Sequence, residues 1–476
     1  MKSVKITVLL LVMLAMLGLA GCSSTPKTDD IEQITQVVTE AQLQEFRTYP
    51  NLKYLDASGS TCYTALRKFM ADCPQVEVVY TVPFGSKTVT NTQTDLILGP
   101  EDADAAELST NLRNLPDLTA LTLTDTDLTL AELEALKTAY PNLSLSYTVS
   151  LLGQEYTADA VSADLSDLKP EDLEAILPRL ALLPALTEAQ LRSGTQEGAL
   201  TPEQVKSLMD ACPNVHFHYS FDLFGQTLST DTETVEFVNA AIGNEGETAI
   251  RQALDIMPKC TYFKLDECGL SNEVLASIRD DYPNTKIVWR IHYGKYSALT
   301  DTEILKAVYN VFDHTVADLI YCTDVKYIDM GHNDSLTDIS FMAYMPKLEI
   351  VIISGSGVSD ISCFQGNKNL VFLEMAYCYN LKDLSPLKEC ENLRFLNVGY
   401  TQVTNLEALD NLVLERFVCI QNKVPYQEQE LFKTFHPDCW TRFTGENPYS
   451  LGWRYEDIGE TFSPFYLKMR DIFGYK

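Results

Sequence analysis

Val325-Lys-Tyr-Ile328-Asp-Met330, Leu348-Glu-Ile-Val351-Ile-Ile353, Leu370-Val-Phe-Leu373-Glu-Met375, Leu393-Arg-Phe-Leu396-Asn-Val398 and Leu414-Glu-Arg-Phe417-Val-Cys419 are five versions of one apolar pattern. Each reads L-x-x-L-x-L, and they return at intervals of about 22 residues across 325–422. Three residues after the last apolar position stand Asn333, Ser356, Cys378, Thr401 and Asn422, small side chains that can bond backbone groups at a tight bend. A unit of this length buries one short strand and one turn of helix or extended chain, and cannot close a core alone. Stacked neighbours close it for one another.

On these residues the chain resembles the leucine-rich repeat, and Leu381-Lys-Asp-Leu384-Ser-Pro-Leu387-Lys-Glu-Cys-Glu-Asn-Leu393 is similar to the short-repeat, internalin-like subtype of bacterial surface proteins. The resemblance implies an α/β fold, a leucine-rich-repeat solenoid with a parallel concave sheet. In that frame the three apolar positions of each unit point inward and the x positions face solvent from the concave side.

A second, longer period precedes the short one. Cys73-Pro74, Tyr140-Pro141, Cys212-Pro213 and Tyr282-Pro283 are spaced by about 70 residues. Strand-like alternation follows each proline, for example Val76-Glu-Val78-Val-Tyr80-Thr-Val82 and Leu143-Ser-Leu145-Ser-Tyr147-Thr-Val149. Gly85, Gly153, Gly225 and Gly294 then arrive at a nearly constant offset, which predicts hairpins. Ahead of each proline the pattern predicts a helix; Thr129-Leu-Ala-Glu132 and Thr201-Pro-Glu-Gln204 have capping-box spacing, as does Thr39-Glu-Ala-Gln42 near the start. Further upstream, Leu118-Thr-Ala-Leu121-Thr-Leu123 and its counterparts repeat L-x-x-L-x-L.

The expected organisation is therefore a signal peptide at 1–21, a tether at 22–31, four long hairpin-bearing α/β repeats over 32–300, a connecting helix over 301–324, short leucine-rich repeats over 325–422 and a C-terminal cap over 423–476. One continuous solenoid is the favoured arrangement; the alternative is a separate domain joined through a helix at 300–319. The tryptophans and phenylalanines of the last segment, Trp440, Trp453, Phe462, Phe465 and Phe473 among them, are read with Tyr455 as a lid over the final core layer.

Lys2 and Lys5, the apolar run 6–19 and Leu19-Ala20-Gly21-Cys22 make a secretory leader, too short to span a bilayer, whose end resembles a bacterial lipobox. That resemblance implies cleavage before Cys22, lipidation of its sulfur and attachment to the extracytoplasmic face of a bacterial cell membrane, where two acyl chains suffice for stable anchoring. The formal charge is −30, and without the leader it is −32, with 34 basic side chains against 66 acidic ones. Such a surface repels nucleic acid and anionic lipid.

Candidate chemistry is sparse. Gly355-Ser356-Gly357 lacks the third glycine of a dinucleotide loop and the G-x-S-x-G frame of a hydrolase. His436 occupies the slot held elsewhere by Cys73, Tyr140, Cys212 and Tyr282, which suggests packing at a helix end. His216 and His218 form a pair without a third ligand of metal spacing. Twelve cysteines, eleven without Cys22, show no C-x-x-C frame; Cys260 with Cys268 is the one bridge considered. The expectation is no catalysis, no metal and no cofactor.

Binding is more readable. The second exposed position of each short repeat gives Tyr327, Ile350, Phe372, Phe395 and Arg416 in one column, with Lys326, Arg394, Asp329, Glu374 and Asn397 beside it and Tyr377 and Tyr400 past the strands. Tyr327, Phe372, Phe395, Arg416, Tyr377 and Tyr400 are the candidate ligand contacts, since aromatic and arginine anchors with a polar rim suit a protein, and flat rings also stack on sugars. The functional expectation is a non-catalytic binding module for a protein or glycan at the cell envelope, or else a structural spacer or assembly component there.

Overall fold

The computed structural model describes residues 28–456 and 461–475. The signal peptide, Cys22 and the first residues of the tether lie outside them. The chain divides into two compact units: one extends to Asp222 and includes Thr227–Thr230, the other comprises Leu223–Gln226 and everything from Asp231 onward. Both are leucine-rich-repeat solenoids of mixed α/β content.

The first unit carries three parallel three-strand sets: Gln33–Thr35, Tyr54–Asp56 and Glu77–Val79; Asp95–Leu98, Ala120–Thr124 and Ser144–Leu151; Ser162–Leu165, Glu188–Leu191 and His216–His218. Their registers explain the 70-residue period. Leu96, Leu121 and Leu145 are lateral partners, so each long repeat is three leucine-rich turns rather than one. The strand after the proline serves twice: the first part of Ser144–Leu151 pairs in parallel with Ala120–Thr124, and its end pairs antiparallel with Gln154–Thr157. Leu152 (φ 50°) and Gly153 (φ 84°) make the tip, the two left-handed positions of a type I′ turn.

Local rules place the helices between these strands. Thr39, Thr129 and Thr201 form reciprocal capping boxes with Gln42, Glu132 and Gln204. The helices Tyr63–Asp72, Leu130–Ala139 and Pro202–Ala211 end on Cys73, Tyr140 and Cys212 at φ near −125° and ψ near 65°. Proline at the next position forbids helical backbone in the residue before it. His436, which ends Tyr426–Phe435, has the same geometry (φ −123°, ψ 63°).

The second unit begins with the parallel strands Thr234–Val238, Tyr262–Asp266 and Lys286–Tyr293, the last turning back into Tyr296–Leu299. A seven-stranded parallel sheet follows, in the order Ile304–Lys306, Tyr327–Asp329, Ile350–Ile352, Phe372–Glu374, Phe395–Asn397, Arg416–Val418 and Trp440–Arg442. Two of these strands lie outside the expected short repeats. The connecting helix expected at 301–324 is a repeat turn instead: Ile304–Lys306 pairs with Tyr327–Asp329, and α-helix is confined to Asp313–Val316. The alternation Ile304-Leu305-Lys306 buries Leu305 and was masked by the helix-compatible run after it.

Within the short repeats every apolar position of the five L-x-x-L-x-L units is buried, from Val325 and Leu348 at 0% exposure to Leu414 at 5%. Outside the sheet, 3-10 turns replace α-helices, and each opens on an Asx turn. Asp338, Asp360, Asp383 and Asn405 accept from the backbone N–H of Ser340, Ser362, Ser385 and Glu407 at 2.7–2.8 Å. Asn333 shows what the post-strand polar residue does: its Nδ2 donates to the carbonyls of Ala307 and Met330, and its Oδ1 accepts from Val311 N. Thr401 Oγ1 likewise donates to Val398 O at 2.8 Å. These bonds satisfy backbone groups that the bend would otherwise leave buried and unpaired.

Among the described residues Cys73, Cys260, Cys268, Cys322, Cys378, Cys390 and Cys419 are buried and act as small hydrophobes. Cys260 and Cys268 are both free thiols, their sulfurs bonded to the carbonyls of Tyr262 and Phe237 respectively, so the considered bridge is not formed.

Candidate functional site

Strand register sorts the inner face of the seven-stranded sheet into columns. One runs Ile304, Tyr327, Ile350, Phe372, Phe395, Arg416, Trp440. The next runs Lys306, Asp329, Ile352, Glu374, Asn397, Val418, Arg442. A third lies just past the strands, where Tyr309, His332, Gly355, Tyr377, Tyr400 and Gln421 all adopt positive φ, between 53° and 70°. Gly355 fills this slot without a side chain, which accounts for one glycine of Gly355-Ser356-Gly357. Gly357 is required by crowding, since a Cβ there would meet Thr337 Cγ2 at 2.7 Å and Asp334 O at 2.8 Å. Ser356 is buried against the Cys378 thiol.

Apart from Ile304 and Lys306 on the first strand, which remain exposed, the first two columns are covered. The C-terminal segment returns over them, and its helix Pro464–Phe473 joins Trp453 in an apolar cluster with Ile350, Ile352, Phe372, Val418 and Ile420. Phe372 is 1% exposed and stacks among Trp453, Phe465 and Phe395, with ring centroids 5.2, 6.0 and 6.2 Å away. Phe395 lies 4.7 Å from Phe465. Arg416 donates to Gly452 O at 2.8 Å and faces the rings of Trp440 and Phe465. Tyr327 packs half-buried against the same cluster. The expectation of an open aromatic column at Tyr327, Phe372, Phe395 and Arg416 is therefore corrected: apolar side chains on the sheet are matched by apolar side chains of the chain's own terminus. Fully burying Trp453, Met469 and Phe473 contributes roughly 1.5–3 kcal/mol each on the side-chain scale.

Polar groups fasten this lid. Glu374, 1% exposed, accepts from Trp453 Nε1 at 2.5 Å, from Ser354 Oγ at 3.1 Å and from Arg454 at 3.3 Å. Asn397 Nδ2 donates to Pro448 O at 3.0 Å, and Lys306 Nζ to Phe473 O at 2.6 Å. Arg454 also lies 4.1 Å over the Tyr449 ring. Asp329, Glu374 and Asn397 were read as a polar rim; the structure buries all three. Lys306 and Arg454 escaped the sequence reading, one because its strand resembled the start of a helix, the other because nothing local ties position 454 to a strand about 80 residues earlier.

Between lid and sheet remains a cavity of about 230 Å³. Asp329 lines it with Tyr309, His332, Phe372, Arg454 and Tyr466. Burial pushes the Asp329 carboxyl up to about 6; the bond from Gly331 N opposes this, Glu374 adds to it, and Lys306 and Arg454 oppose it.

The third column keeps an exposed edge. Tyr377 and Tyr400 stack at 4.6 Å, Tyr379 meets Tyr377 edge-on at 6.1 Å, and Tyr309 stacks on His332 at 5.2 Å. Tyr379 is 59% and Tyr309 55% exposed. Of the sequence-chosen contacts, only Tyr377 and Tyr400 belong to this edge, and both are half-buried. His216 and His218 meet edge to face at 4.6 Å. His436 packs 4.2 Å from Phe432, and burial lowers its pKa. Among the described residues no helix is long and apolar enough to cross a membrane.

No family model matches the chain, and no curated protein matches it. Solved structures do: an internalin of Listeria monocytogenes at 18% identity over 77% of this chain and 87% of that one, TM-score 0.29; and a leucine-rich-repeat protein of Leptospira interrogans at 14% over 87% and 96%, TM-score 0.26. The functional domain of internalin J from Listeria monocytogenes aligns at 15% over 81% and 65%, TM-score 0.22. At scores of this size the fold rests on the repeat register itself: seven parallel strands, stepped by one turn, with every L-x-x-L-x-L position of the short repeats buried, give this chain a leucine-rich-repeat fold.

Proposed function

We propose that the protein is a non-catalytic binding module held at the extracytoplasmic face of a bacterial membrane by lipid on Cys22, where it recognises a protein or glycan of the cell envelope. The observation that carries the recognition half is the exposed tyrosine edge formed by Tyr377, Tyr379 and Tyr400. Rings with one wet and one packed face suit macromolecular or sugar ligands. The anchor rests on the basic leader and Leu19-Ala20-Gly21-Cys22.

A second reading, a structural spacer or assembly component of an envelope complex, draws support from the covered inner face, since the usual concave recognition surface is occupied by the chain itself.

Two experiments test these readings. Labelled palmitate fed to an expressing bacterium is expected to enter the full chain and to be lost with Cys22→Ser; incorporation into C22S removes the anchor proposal. The full C22S chain is then applied to a glycan array and to purified envelope components, beside a version with Tyr377 and Tyr379 changed to alanine. Specific binding lost in the double variant supports the edge. Equal binding moves recognition elsewhere, and the absence of any binding favours the spacer.

A further inference from the structure

The cavity under the lid holds a carboxylate whose bonding is incomplete. Asp329 is 3% exposed, and its Oδ1 accepts from Gly331 N at 3.0 Å. Its Oδ2 has no hydrogen-bond partner among the described residues, and the side chain lines the cavity. Of the other charges nearby, Glu374 and Lys306 are engaged, while Arg454 lines the same cavity and keeps a buried Nε without a hydrogen-bond partner. Glu374 holds Trp453, Ser354 and Arg454. Arg454 divides itself between Glu374 and the Tyr449 ring. Lys306 is bonded to Phe473 O and lies 4.5 Å over the Tyr475 ring. A buried carboxylate facing an open space without a matching donor is costly unless something else completes it.

The walls narrow the choice of occupant. Tyr309 and His332 present stacked rings, 18° from parallel, and Phe372 and Tyr466 add two more. Aromatic faces attract cations, and an ammonium brings both a positive charge and three donors to an acceptor-only carboxylate. The volume, about 230 Å³, falls below the roughly 300–1,000 Å³ of sites for drug-sized ligands, so the occupant is small.

We propose that this cavity is a binding site for a small organic ammonium ion, a primary amine no larger than a single amino sugar, held by the Asp329 carboxylate against the Tyr309–His332 stack. This site is separate from the tyrosine edge and stands whether or not that edge binds a macromolecule.

The test is calorimetric titration of the full chain carrying C22S with ethanolamine and glucosamine, and with their uncharged counterparts ethylene glycol and N-acetylglucosamine. The expected result is saturable binding of an amine but not of its counterpart. Asp329→Asn keeps the shape and the bond from Gly331, and is expected to weaken the amine at least about tenfold, the scale of one charge-assisted hydrogen bond. Tyr309→Ala, at an exposed ring, is expected to weaken it a fewfold with the fold intact. Amine binding unchanged in folded D329N overturns the proposal, as does equal binding of the neutral compounds, a response to calcium ion alone, or no saturable response to any amine at millimolar concentration.

Discussion

Asp329→Asn is expected to make the second unit more stable, not less. The folded protein holds the Asp329 carboxyl near 6 against an ordinary value of 3.8, a rise of about two pH units. At roughly 1.36 kcal/mol per unit, ionised Asp329 costs the folded state up to about 3 kcal/mol. The sign follows from proton counting. Between about pH 4 and 6 the folded state retains a proton that the unfolded chain has released, so stability from this group rises as pH falls and is lost as pH climbs through 6. Asparagine does not titrate there. The gain of D329N over wild type is therefore nearly full at pH 7 and above, halves near 5, midway between the two values, and vanishes below about 3. Glu374, Lys306, Arg454, His332, Tyr466 and Tyr475 surround the site in both proteins. Tryptophan fluorescence during urea unfolding is the natural assay, because Trp289, Trp440 and Trp453 all lie in the second unit. A D329N protein less stable than wild type at pH 7, or a difference constant from pH 8 to 5, would refute the reasoning.

Other perturbations probe other parts of the chain. Trp453→Ala should cost about 3–5 kcal/mol and open the lid; limited proteolysis should then cut within 443–475 while the repeats survive, and unchanged protease resistance would count against a lid closed by this indole. Leu152→Asn should stabilise the first unit by about 0.5–1 kcal/mol, because Asn-Gly suits the I′ tip and Leu152 is already 37% exposed; thermal unfolding that shows a loss would rule this out. Thr201→Ala should remove about 1 kcal/mol by breaking its capping box with Gln204, measurable by the same method. Tyr379→Ala should leave the melting temperature within about 1 °C yet reduce any macromolecular binding, since surface changes away from special features cost within about 0.5 kcal/mol.

The parts of this fold that were legible were those governed by local rules. The apolar spacing of Leu370, Leu373 and Met375 fixes which side chains go inward, and Thr201, Pro202 and Gln204 mark a helix start without any knowledge of the rest. Counting the turns in a long repeat was harder. Asp95–Leu98 and Ser162–Leu165 are short strands with two buried positions each, too few to announce a period. The lid was harder still. Its aromatic residues were recognised as a cover, yet what they cover is set by contacts 79 and 167 residues apart, Trp453 with Glu374 and Phe473 with Lys306, and such pairings leave no periodic trace. For that reason Phe372 read as an exposed anchor when it is core, and Asp329 read as rim when it is the least satisfied carboxylate beneath the lid.

That lid also changes the mechanics of the seven-stranded sheet. A bare solenoid has only neighbour-to-neighbour coupling, so it can flex like a spring and fray from one end. Here the terminal helix is tied to the first strand through Lys306, while the chain leading into it is tied to the sixth strand through Arg416 and to the middle through Glu374. The arrangement is a chord drawn across an arc. It fixes the curvature, couples turns that never touch, and should make the seven strands unfold in one cooperative step where an unstrapped array of the same repeats would peel away turn by turn.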